Sequence, residues 1–128
     1  MSKILLVGEN YSLLKTRAAV LAKTGANVVP SSPSELASHV GIEEFDLVVL
    51  CHTLREGARK AVIANARRRW PRVRILQIFS RLGEMTSFAD PLDAATPIEP
   101  EEVLARATEL LVKSDWRQSQ AADPRLGA

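Results

Sequence analysis

Apolar residues recur along this chain in two rhythms. Residues 3–7, 46–51 and 74–79 are short runs in which hydrophobic side chains follow one another with little or no alternation. A strand covered on one face alternates apolar with polar, so unbroken runs of this length predict strands buried on both faces, as in a parallel sheet. Residues 26–29 predict a further short strand, and residues 93–96 a weak fifth. Between these runs the spacing becomes helical. Leu14, Ala18 and Leu21 share one face of a segment at residues 11–24, and Gly25 follows where a helix end tolerates positive φ. Ser32-Pro33-Ser34-Glu35 has the form of a capping box with proline at the first helical position, opening a helix through about Val40. Residues 54–70 place Val62, Ala66 and Trp70 on one side, with Lys60, Arg67 and Arg68 roughly opposite, and Pro71 stops the helix. A last helix begins at Glu99-Pro100-Glu101-Glu102, with acids at the positive end of its dipole and Val103, Ala107, Leu110 and Leu111 as its apolar face.

Two stretches lack this regularity. Residues 80–95 contain Gly83 and Asp90-Pro91 and few apolar anchors, which leaves room for one short helix near residues 84–89. Residues 114–128 lose periodicity and read as a mobile tail on a domain spanning residues 1–113. Strands alternating with helices over short connections imply right-handed βαβ units. The expected fold is therefore α/β, a three-layer sandwich around a five-stranded parallel sheet. Chemistry in such sheets sits beyond the carboxyl ends of the strands. That directs attention to Gly8, Glu9 and Asn10, to Cys51 and His52, to Phe79 and Ser80, and to Thr96 and Pro97.

Composition narrows the field. The chain has 128 residues, 46% hydrophobic and 25% charged, which suits one packed domain. A single cysteine excludes an internal disulfide framework and a multi-cysteine zinc site. No apolar run is long enough for a signal peptide core or a membrane span, so a cytoplasmic protein with no membrane partner is expected. The net charge of +2 conceals an asymmetry: nine bases and one acid lie between Leu54 and Arg81, a local +8. Arg67, Arg68, Arg69 and Arg72 with Lys60 form a candidate interaction surface. It could face nucleic acid, but no recognised nucleic-acid motif accompanies it and the one nearby aromatic, Trp70, belongs to the apolar face. A solvated helix face or a surface for an acidic protein is favoured.

Three segments in order carry a family resemblance: Lys3-Ile4-Leu5-Leu6-Val7 before a polar turn, Phe45-Asp46-Leu47-Val48-Val49-Leu50, and Thr96-Pro97-Ile98-Glu99-Pro100-Glu101-Glu102-Val103-Leu104. Together the chain resembles the receiver domain of two-component response regulators, over about residues 3–113. The resemblance implies a flavodoxin-like topology and a role in signal transduction. It also implies a pocket in which an acidic pair after strand one holds magnesium and an aspartate ending strand three takes a phosphoryl group. A hydroxyl after strand four and a lysine before the proline then bind the phosphoryl oxygens.

This chain departs from that pattern at nearly every functional position. The acidic pair aligns with Gly8 and Glu9, the acceptor with Cys51, the hydroxyl with Phe79 or Ser80, and the lysine with Thr96, followed by Pro97. A thiol cannot give magnesium a hard oxygen, and one glutamate is a poor cage. Glu9 reads equally as a remnant ligand or as a loop carboxylate capping the first helix. The expectation is a degenerate pseudo-receiver: not an enzyme, with no cofactor and no metal, acting through protein contact. A histidine kinase, an output protein or a second copy of the chain are the partners the resemblance allows. The alternatives are a receiver phosphorylated on another residue and a nucleic-acid-binding accessory protein. Cys51 reads as a small buried residue rather than a redox switch, and the two neighbours Cys51 and His52 should point apart. His39 reads as a surface residue. From Phe79 to Thr96 the chain looks shorter than the family by about a helical turn. The family's lysine-proline bond is commonly cis, so a cis Thr96–Pro97 bond is expected.

Overall fold

A computed structural model describes residues 2–36, 44–80 and 93–122. Strands β1 (Lys3–Val7), β2 (Asn27–Ser31), β3 (Leu47–Leu50), β4 (Arg74–Phe79) and β5 (Asp93–Pro97) form one sheet in the order β2-β1-β3-β4-β5. Every pairing is parallel, with Leu5 opposite Val29 and Val48, Val48 opposite Ile75, and Ile78 opposite Thr96. Helices α1 (Tyr11–Ala22), α2 (Pro33–Leu36), α3 (Glu56–Arg69) and α4 (Pro100–Ala122) connect or follow the strands.

Burial on both faces explains the unbroken runs. Ile4, Leu6, Leu47, Val49, Leu76 and Ile78 face α1 and α4, where Leu14, Leu21, Val103, Ala107 and Leu110 complete one core. Leu5, Val7, Val48, Leu50 and Ile75 face the other way, against Val62, Ala66 and Trp70 of the α3 segment. Trp70 is edge-on to Phe45, ring centroids 5.1 Å apart, and is a core residue as its spacing indicates. Ser32 caps α2 through Glu35 N–H, its hydroxyl also donating to Glu35 Oε1. Asn10 caps α1 by accepting from Leu13 N–H. Gly25 takes φ +89°, the left-handed conformation that ends the α1 segment.

Two expectations are corrected. The final helix does not stop at Lys113 but continues through Ala122. Ser114 to Ala122 contain neither glycine nor proline, and once a helix is nucleated each further residue adds a hydrogen bond at low cost, with or without an apolar stripe. The Thr96–Pro97 bond is trans, since no peptide bond among the described residues is cis. β5 runs straight through this step, pairing Thr96 with Ile78 and Pro97 with Phe79, and a trans bond keeps that extended course. The short helix expected near residues 84–89, the shortened connection it belongs to, the end of α2 and His39 lie outside the described residues.

Candidate functional site

The sheet order reverses between β1 and β3, so the turns after these strands diverge and leave a crevice at their carboxyl ends. Helices in such units run antiparallel to the strands, and helical side chains lean toward the helix N-terminus. Long side chains on the inner faces of α1 and α3 are thereby aimed at this crevice. Both helices carry an arginine there. Arg17 shares the α1 stripe with Leu14, Ala18 and Leu21, and Arg59 shares the α3 stripe with Val62 and Ala66. Each is only 8% exposed.

Arg59 ties the ends of two strands to α3. Its Nη2 donates to Cys51 O and Ile78 O, each at 2.9 Å, its Nε to Leu54 O at 3.1 Å, and its Nη1 to Gln77 Oε1 at 3.3 Å. Its guanidinium carbon also lies 4.7 Å from the centre of the Phe79 ring, a cation–π contact. The charge is thus shared among three main-chain carbonyls, one side-chain amide and an aromatic face. A planar cation with forked donors suits such a junction better than an ammonium would.

Cys51 directly follows β3 at 1% exposure and packs against the turn after β1. A Cβ built on Gly8 would stand 3.0 Å from Leu14 Cδ2 and 3.1 Å from both Cβ and Sγ of Cys51. A side chain at position 8 would therefore press on Cys51 and Leu14, which would have to give by a few tenths of an ångström to admit it. Burial pushes the Cys51 thiol up to about 11, against the opposing pull of the Arg17 and Arg59 charges. At neutral pH the group is a thiol rather than a nucleophilic thiolate.

Arg17 Nη2 lies 3.1 Å from His52 Nδ1. Arginine has no acceptor, so the Nδ1 lone pair receives the bond and the neutral ring carries its proton on Nε2. Cys51 and His52, adjacent in sequence, thus engage different partners: Cys51 packs on Gly8 and His52 is held by Arg17. Beside them Arg17 Nε and Thr53 Oγ1 are buried polar atoms without a hydrogen-bond partner.

The remaining strand-end residues are dispersed. Glu9 and Ser80 are exposed, Phe79 and Pro97 are half-buried, and Thr96 is fully buried with its hydroxyl donating to Pro97 O at 3.2 Å. Gly8, Cys51, Phe79 and the two arginines come together; Glu9, Ser80 and Thr96 do not join them in any hydrogen bond. Magnesium, implied by the family resemblance, does not fit this set. The crevice presents a glycine, a protonated thiol and two guanidinium groups where a hard dication needs convergent carboxylates. Among the described residues no group of three or more His, Cys, Asp or Glu is placed to hold a metal ion. No described helix is long and apolar enough to cross a membrane.

The basic segment is less exposed than its composition suggests. Arg59 and Arg74 are buried, Arg67 and Arg69 are half-buried, and Lys60 pairs with Glu56 at 3.5 Å. Arg55, Arg68 and Arg72 remain exposed with Lys60. Arg67, Arg68 and Arg69 occupy the last turn of α3, where cations oppose the helix dipole. Arg17 and Arg59, the residues that define the crevice, were not among the sequence candidates. Their signal was nonetheless present: each interrupts an apolar stripe at helical spacing.

No family model matches the chain, and no curated protein matches it. Solved structures do. One is an adenylate cyclase structure from Rhodopirellula baltica, with TM-score 0.77 and 18% identity, covering 94% of this chain and 95% of that one. Another is a CheY-like response regulator receiver domain protein from Methanospirillum hungatei, with TM-score 0.68 and 16% identity over 91% of this chain and 98% of that one. A third comes from a complex of the histidine kinase ThkA with the response regulator TrrA, with TM-score 0.66 and 15% identity over 87% and 99%. Likeness at these identities speaks to architecture: the chain has the flavodoxin-like fold of response-regulator receiver domains.

Proposed function

We propose that this chain is a receiver-like signalling module of the cytoplasm that works through protein contact and does not take up a phosphoryl group. The observation carrying this reading is the composition of the strand-end crevice. The position aligned with the phosphoryl acceptor holds a buried, protonated thiol against Gly8, and Arg59 already occupies the junction of β3 and β4. Phosphoryl transfer to such a site would need a nucleophile and a metal that its residues do not provide. The pocket residues Gly8, Glu9, Cys51, Phe79, Ser80, Thr96 and Pro97 are then parts of a fixed scaffold. Contact with a protein partner falls to exposed surfaces, including Lys60 near the start of α3 and Arg68 and Arg72 around its end, with Arg67 and Arg69 beside them. A histidine kinase, an output protein or a second copy of the chain would each be a protein partner of this kind. The loss of Arg59 and Arg74 from the surface weighs against nucleic acid.

The test is intact-mass spectrometry after incubation with acetyl phosphate and magnesium. The chain should keep its unmodified mass. A phosphoryl adduct removed by hydroxylamine would mark an acyl phosphate and overturn the proposal.

A further inference from the structure

Arg17 and Arg59 are equally buried, yet their surroundings differ. Arg59 spreads its charge over the carbonyls of Cys51, Leu54 and Ile78. Arg17 makes a single hydrogen bond among the described residues, to a neutral imidazole nitrogen, and its Nε has no partner. A guanidinium withdrawn from water with a buried donor left unpaired is costly, because charge in a low-dielectric interior needs a counter-charge or a full set of hydrogen bonds. The Thr53 hydroxyl, one residue beyond His52, is buried and equally without a partner. α1 opens onto the same end of the sheet and has no acidic residue in its first turn, so its positive dipole end is not neutralised by its own side chains.

Cations and unused donors therefore converge where the fold's phosphotransfer members would place carboxylates. We propose that the carboxyl end of β3 is an anion site in which Arg17 and the Thr53 hydroxyl hold a small oxyanion, of phosphoryl or carboxylate chemistry. Arg17 supplies the charge and Thr53 an additional hydrogen bond. Both orphaned donors are shielded from solvent, so entry requires the side chains of Arg17 and the turn at His52 and Thr53 to move. Binding is non-covalent and independent of magnesium, so it stands or falls separately from the absence of an acyl phosphate.

The experiment is an NMR titration of the full-length, 15N-labelled chain. It follows the Arg17 Nε–H and the amides around Thr53 as sodium phosphate or sodium acetate is added, with sodium chloride at matched ionic strength as control. Saturable shifts at these groups are expected, with a dissociation constant on the order of 1 mM for the preferred anion. The stronger of the phosphate and acetate responses identifies the ligand chemistry. Thr53→Val should weaken binding about fivefold, the effect of one lost hydrogen bond, and Arg17→Gln should abolish it. Thr53→Val carries the test alone if Arg17→Gln does not fold. The proposal is overturned by shifts no larger than those with chloride, which would mean water completes the site. It is equally overturned by binding that Thr53→Val leaves unchanged, or by shifts centred on Arg68 and Arg72.

Discussion

Replacing Arg59 with methionine removes the guanidinium but keeps an unbranched stem of similar reach in the α3 stripe. The arginine makes four hydrogen bonds, three of them to main-chain carbonyls, and a contact with the Phe79 ring. Hydrogen bonds from a charged donor contribute about 1.5–3 kcal/mol each, so the gross loss is about 8 kcal/mol. Removing the ion also removes its desolvation penalty, which is several kcal/mol for a buried charge. Cys51 O keeps a second donor, Leu54 N–H at 3.2 Å, which softens the loss at that carbonyl. The balance is a destabilisation of about 3 kcal/mol, within the range for breaking a buried polar network. Urea unfolding followed by tryptophan fluorescence reads it directly. With a slope of about 1.5–2 kcal/mol per M, the midpoint should fall by about 1.5–2 M at unchanged slope. Arg59→Lys keeps the charge but loses the fork and should fall between methionine and the parent chain. A methionine variant as stable as the parent would refute the idea that Arg59 clamps the strand ends.

Two further outcomes follow from the same crevice. Cys51 should resist iodoacetamide at pH 8 in the native chain and react once unfolded, as followed by mass spectrometry; rapid native labelling would contradict its burial. Because folding raises its pKa to about 11, the folded chain retains a proton that the unfolded chain has lost above the ordinary thiol pKa. That contribution is intact below about pH 9 and declines as pH rises through about 11, costing up to about 3 kcal/mol. Cys51→Ser, whose hydroxyl does not titrate in this range, should flatten the decline in a urea series. Gly8→Ala drives a methyl group to 3.0 Å from Leu14 and 3.1 Å from Cys51. It should cost about 2 kcal/mol, the usual scale of overpacking, seen as a lower thermal midpoint; a neutral result would mean the turn after β1 yields freely.

The strands were legible because burial on both faces leaves an unbroken apolar run, and the sheet's order follows the family pattern. Val62, Ala66 and Trp70 in the α3 segment and Val103, Ala107, Leu110 and Leu111 in α4 lie where their spacing puts them. The site was only half legible. Aligned positions pointed to the strand ends, but Arg17 was passed over and Arg59 entered only as one base of the positive segment, since arginine is seldom buried without a partner. Their spacing relative to Leu14 and Val62 carried the missing information, and Gln77 within a buried strand hinted at the polar partner. The outer end of α4 was misjudged for the opposite reason. Apolar periodicity marks the helix face that meets a core, and a helical backbone can continue where that pattern lapses.

The fit between Gly8 and Cys51 constrains how this chain could change over generations. A mutation introducing aspartate at position 8 would arrive in a space already filled by sulfur and by the tip of Leu14. Its Cβ would oblige those neighbours to give by a few tenths of an ångström. Restoring the missing member of the acidic pair beside Glu9 would therefore set a new side chain against the packing of Leu14 and Cys51. How readily the sulfur and the leucine tip yield would set the cost of that single step, so the thiol and the glycine are linked in any change at this turn.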